Sequence, residues 1–125
     1  LEMDVEQEKA AHEEFLGLWS RLGDMGADEA LAHADAFAKD RERFERLLDR
    51  GVQWLRDAVV FHETGDEKLL VYAHGGDALK ERCAGMSLER MLLDMELFSE
   101  SRSLLDRRVS AQLVADNLFL KLGKG

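Results

Sequence analysis

The longest regular alternation of apolar and polar positions runs from Asp40 to Thr64, DRERFERLLDRGVQWLRDAVVFHET. Phe44, Leu47, Leu48, Gly51, Leu55, Ala58, Val59 and His62 recur at three- and four-residue steps, the spacing that gathers side chains on one face of an α-helix. The pattern predicts one long central helix, capped by Asp40 and opened by charged residues that keep its outer side solvated. Trp54 and Phe61 fall beside the stripe and widen it, so neighbours on more than one side are expected. A mid-helix glycine costs about 1 kcal/mol relative to alanine. A close crossing by another helix would explain Gly51.

Shorter patterns flank this segment. Asp4 to Leu22 reads as a first helix with Val5, His12, Phe15, Leu16, Trp19 and Leu22 on one side. Gly23 to Ala27 breaks it, and Asp28 is placed to cap a short alanine-rich helix with Ala30, Leu31, Ala34, Phe37 and Ala38 on a shallow face. The Lys39-Asp40 junction leaves room for either a tight corner or a kinked rod. Beyond Thr64 the pattern dissolves into GDEKLLVYAHGGDALKERCAGM. Leu69 to Tyr72 reads there as a turn of helix or an apolar loop, since one isolated strand would have no partner. Asp77 or a neighbour starts a short helix through Cys83 that Gly85 ends. Ser87 caps a helix carrying Leu88, Met91, Leu92, Met95, Phe98, Arg102 and Leu105 at helical spacing. Ser110 caps the last one, whose Leu113, Val114, Leu118, Phe119, Leu120 and Leu122 face almost every direction. A helix apolar all round is buried or joined to a partner.

Composition agrees with an all-helical chain. The 125 residues fit one domain, contain no proline, and use ten glycines as breaks between patterned segments. A net charge of −9, with Lys and Arg interleaved among acids, argues against direct nucleic-acid binding, because phosphate neutralisation needs clustered base without an acid excess. No apolar run approaches the roughly 20 residues of a membrane span. The single cysteine, Cys83, rules out an internal disulfide and points to the cytoplasm. Residues 1–3 read as a cloning remnant ahead of one helical domain over 4–125, itself expected to be a piece of a larger protein.

Candidate chemistry is sparse. His12, His33, His62 and His74 are scattered and form no HExxH frame, and Glu13, Glu14, Glu63 and Glu96 lack the Glu-x-x-His spacing of di-iron helices. No metal or cofactor is expected. Gly75-Gly76 belongs to no phosphate-loop frame. Cys83 with His74 reads as a small buried or half-buried thiol rather than a nucleophile, and Arg56-Asp57 as an ion pair pinning neighbouring helices.

The phrase RLLDRGVQWLRDAVV, an apolar patch at Leu69 to Tyr72, the SLE start at Ser87 to Glu89 and the Arg108 to Leu122 stretch occur in an order that resembles the C-terminal region of the bacterial DNA polymerase III delta-prime family. EALAHADAFAKDRERFERLL resembles the lead-in to that region, and the likeness spans about residues 26 to 122. At Arg108-Val109-Ser110 the sequence departs from the family's asparagine-containing turn. The resemblance implies a clamp-loader collar, the helical bundle through which loader subunits are held in a ring for sliding-clamp loading in DNA replication. It implies partners of the delta and gamma/tau kind, contacted through collar surfaces, and leaves the gamma/tau collar as an alternative identity. ATPase-type modules lie N-terminal to the collar in that family, so any ATP-linked role would belong to parts outside this chain.

The resulting expectation is an all-α bundle of five to six helices, collar-like, that catalyses nothing itself and is a monomer or weak oligomer alone. Its subunit interface is expected on Trp54, Arg56, Asp57 and Phe61 of the long helix and on Leu113, Leu118, Phe119 and Leu122 of the last. The competing classes are a ligand- or metal-binding helical bundle with a pocket between its helices, and an adaptor domain for an unrelated partner.

Overall fold

A computed structural model describes residues 13, 15, 17, 18, 21, 24–66, 69 and 85–123. Four helices account for most of them: α1 (Ala27–Ala38), α2 (Arg41–Thr64), α3 (Leu88–Asp106) and α4 (Ala111–Gly123). Glu13, Phe15, Gly17, Leu18 and Arg21 are also helical. The chain is thus an all-α bundle over these residues. Most of the expected first helix, the 70–84 segment with its short helix, and His12, Trp19, His74 and Cys83 lie outside the described residues.

Capping chemistry sets the boundaries. Asp40 begins α2 by accepting the Arg43 N–H at 3.1 Å, and Ser87 begins α3 by accepting the Arg90 N–H at 3.0 Å. Ser110 accepts the Leu113 N–H at 3.4 Å at the start of α4. The start of α1 differs from expectation: Gly26 is its N-cap, with no side-chain bond, and Asp28 lies inside the first turn. There its charge complements the exposed N–H groups instead of capping them. At Lys39-Asp40 the chain turns a corner, because the Asp40 backbone leaves helical geometry (φ −131°, ψ 89°). Gly65, at φ 67°, closes α2 by donating its N–H to the Phe61 carbonyl at 2.8 Å.

The turn from α3 to α4 is a Schellman motif built without glycine. Arg108 adopts φ 64°, its N–H donating to the Leu105 carbonyl at 3.0 Å and that of Val109 to the Leu104 carbonyl at 3.1 Å. Leu104 and Val109, both half-buried, pack against the core beneath the turn. A side chain in the left-handed region crowds its own backbone, which glycine avoids. Arg108→Gly is therefore expected to raise stability by about 0.5–1 kcal/mol. Urea denaturation checks this, and an unchanged or lower midpoint at constant slope would contradict it.

The helices pack as two pairs, α2 with α3 and α1 with α4, joined through α3–α4 and α1–α2 contacts. The α2–α3 register is antiparallel. Arg41 donates from Nη2 to the Leu105 carbonyl at 2.8 Å, Arg102 meets Asp49 at 3.0 Å, and Phe98 lies over Gly51. Arg102 also reaches Asp106 at 2.9 Å and Glu45 at 3.6 Å, a clasp that fixes register more than it adds stability. The close crossing expected at Gly51 is present, with the Phe98 ring as its cause.

The core joins both pairs. Phe15 and Leu18 enter it beside Trp54 and Phe98, with Phe15 tilted against Trp54 at 6.0 Å and edge-on to Phe98 at 6.1 Å. On the other pair Phe119 stacks on Phe37 at 5.6 Å, and Phe37 tilts against Phe44 at 6.2 Å. The guanidinium of Arg43 covers Phe37 at 4.4 Å. Two stripe positions of α2 differ from expectation: Val59 is half-buried and His62 exposed, while Trp54 is among the most buried side chains. The α3 seam likewise runs through Met91, Asp94, Phe98, Ser101 and Leu105, which turns Leu92 outward.

Candidate functional site

The eight residues expected at an interface divide into two groups. Trp54, Asp57, Leu118, Phe119 and Leu122 are buried within the chain's own core, whereas Arg56 and Leu113 are exposed and Phe61 is half-buried. Packing explains the division. Trp54 and Asp57 lie on the side of α2 that faces the interior, and Leu118, Phe119 and Leu122 form the side of α4 packed on the other helices. Leu113 projects from the first turn of α4 with 65% of its surface accessible. The surface left to a partner from this set is therefore Arg56, Phe61 and Leu113.

Among the described residues, the buried polar and charged side chains are Asp57, Asp94 and Ser101. Burying a carboxylate is costly without charge and hydrogen-bond partners. Asp57 meets Arg56 Nη1 at 3.1 Å, and Asp94 meets Arg90 Nε at 3.1 Å. Asp57 lies eight residues beyond Asp49 (57 − 49) and Asp94 eight before Arg102 (102 − 94), so the antiparallel register brings both carboxylates to one level of the α2–α3 pair. Arg56 also donates from Nη1 to the Leu69 carbonyl at 3.4 Å, tying α2 to the turn in which Leu69 N–H bonds to the Asp66 carbonyl at 3.3 Å. The Arg56-Asp57 contact lies within one helix, and Arg56 reaches beyond it to Leu69.

Other titratable residues are dispersed. His33 is half-buried and stacks on Phe119 at 6.3 Å, and His62 pairs with Glu63 at 3.4 Å on an exposed turn. Glu13, Glu63 and Glu96 are exposed on separate elements. Among the described residues no group of three or more His, Cys, Asp or Glu side chains is arranged to hold a metal ion, and no helix is long and apolar enough to cross a membrane.

The feature that sequence patterning misassigned is on α3. Leu92, expected in the core stripe, is 44% exposed, and its neighbour Leu93 is 56% exposed. A period reading selects apolar residues for the seam and passes over Asp94 and Ser101, which occupy it here. The signal that could have exposed this is the run Met91-Leu92-Leu93, since three consecutive apolar residues cannot all face one way on a helix. No family model, curated protein or solved structure matches the chain.

Proposed function

We propose that this chain is a protein–protein assembly domain, a helical bundle that closes its own core and presents exposed leucines to partners. The observation that carries this reading is the exposure of Leu92, Leu93 and Leu113 on two helices of a heavily charged chain. Single exposed apolar residues are ordinary on proteins, but two adjacent exposed leucines on α3 with a third on α4 leave apolar surface that a partner can cover. The partner class comes from the resemblance of the 46–60 and 87–122 phrases to the delta-prime collar: other subunits of a bacterial clamp loader, of the delta and gamma/tau kind. In that role the bundle does no chemistry. It buries helix faces against neighbouring collars, and its acidic surface selects partners more than it adds affinity.

Size-exclusion chromatography with light scattering tests the proposal on the chain alone and mixed with the collar segments of the same organism's other loader subunits. A mixed complex is expected, weakened by Leu113→Glu with the circular dichroism melt unchanged, because Leu113 already faces solvent. Failure to form any mixed complex at concentrations well above micromolar would remove the loader as the partner.

A further inference from the structure

The outward face of α3 has a composition that neither the core nor solubility requires. Successive residues turn by about 100° around a helix. Met91, Asp94, Phe98, Ser101 and Leu105 mark the buried side, so the opposite side carries Glu89, Leu92, Leu93, Glu96 and Glu100. All five are exposed. The two arginines of the helix nearest the seam are turned to its flanks, where Arg90 holds Asp94 and Arg102 holds Asp49 and Asp106. Among the described residues Glu89, Glu96 and Glu100 form no ion pair. Between Glu89 and Glu100 the face is thus a pair of leucines set among three glutamates, and among the described residues of that stretch it carries no positive charge.

We infer that this face docks a basic amphipathic helix of a partner protein, whose leucines cover Leu92 and Leu93 while its Lys or Arg residues meet Glu89, Glu96 and Glu100. Charge selects this occupant. A second copy pairing through the same face would set glutamate against glutamate within a chain of net charge −9, and an anionic membrane would be repelled for the same reason. A basic helix instead gains at every level: complementary charge steers it in, and the leucine pair gives it an apolar contact that water leaves. The inference rests on the assembly reading above but not on the loader as partner.

The test is an NMR titration of the isotopically labelled chain with a synthetic helical peptide of about 18 residues, leucine on one face and lysine on the rest. A second peptide has every lysine replaced by glutamate. The expected result is saturable shifts centred on the amides of residues 89–100 with the lysine peptide only. Leu92→Ser/Leu93→Ser should weaken binding at least tenfold, and Glu89→Gln/Glu96→Gln/Glu100→Gln should weaken it and flatten its salt dependence. Both variants change exposed side chains, and thermal melts verify that they stay folded. Binding unaffected by the double serine variant would reduce the interaction to general charge attraction and overturn the inference, as would shifts centred elsewhere on the acidic surface. A doubled mass in light scattering that the serine variant abolishes would assign the face to a second copy. Peptide docking on α3 without loader co-elution would leave this surface standing and remove that partner, whereas loader co-elution with no peptide docking on α3 would do the reverse.

Discussion

Truncating Phe119 to alanine is expected to cost about 3–5 kcal/mol of folding stability, the range for removing a buried aromatic ring. The ring is fully buried and stands between His33 and Phe37, stacked on the second at 5.6 Å. Through Phe37 it supports Phe44 and the Arg43 guanidinium, so the cavity would open where α1, α2 and α4 meet. A domain of this size has roughly 5–15 kcal/mol in total, so Phe119→Ala should shift the urea midpoint severely. Phe119→Asp or Leu118→Asp would bury an unpaired charge and unfold the chain. Loss of partner binding in such variants would report unfolding, which is why Leu113 and Leu92 are the informative positions. A cost below about 1 kcal/mol for Phe119→Ala would place the ring at a surface instead.

Gly51→Ala carries the second large effect, with a sign opposite to that of ordinary helix propensity. At an exposed mid-helix site this change stabilises by about 1 kcal/mol. Here the added Cβ would stand 2.5 Å from Phe98 Cδ1 and 2.8 Å from its Cγ. The ring cannot swing aside freely, because it is buried and edge-on to Phe15. Overpacking of this kind costs about 1–3 kcal/mol, enough to outweigh the propensity gain. The helices α2 and α3 would have to separate where Phe98 lies over Gly51. Thermal and urea unfolding of Gly51→Ala, Phe98→Leu and the double variant measure the coupling, and the double variant should be more stable than the sum of the singles implies. Stabilisation by the alanine alone would mean that the two helices do not cross at this point.

Features with a local cause were legible in the sequence. Asp40, Ser87 and Ser110 cap because their oxygens reach the N–H groups two or three residues ahead, an arrangement set within one turn. Gly51 announced a close crossing because its cost needed a reason. What the sequence hid depends on the neighbours. On α3, Asp94 occupies the seam with Arg90 as partner and Ser101 occupies it by being small, so the buried side is rotated from the one that apolar residues alone define. Leu92 was displaced outward by the same rotation. On α4, apolar residues on nearly every side gave no basis for separating Leu113 from Leu118, Phe119 and Leu122. Arg108 in the left-handed region was invisible for a similar reason, since the turn residue that normally marks such a site is absent.

The most direct measurement is urea unfolding of the unaltered chain, followed by tryptophan fluorescence and circular dichroism over a concentration range of about 1 to 100 µM. A core closed within one chain by Trp54, Leu118, Phe119 and Leu122 predicts a single cooperative transition whose midpoint does not move with concentration. A midpoint that rises with concentration would show that a partner copy completes the core, and would contradict a self-contained bundle that offers its outer leucines for assembly.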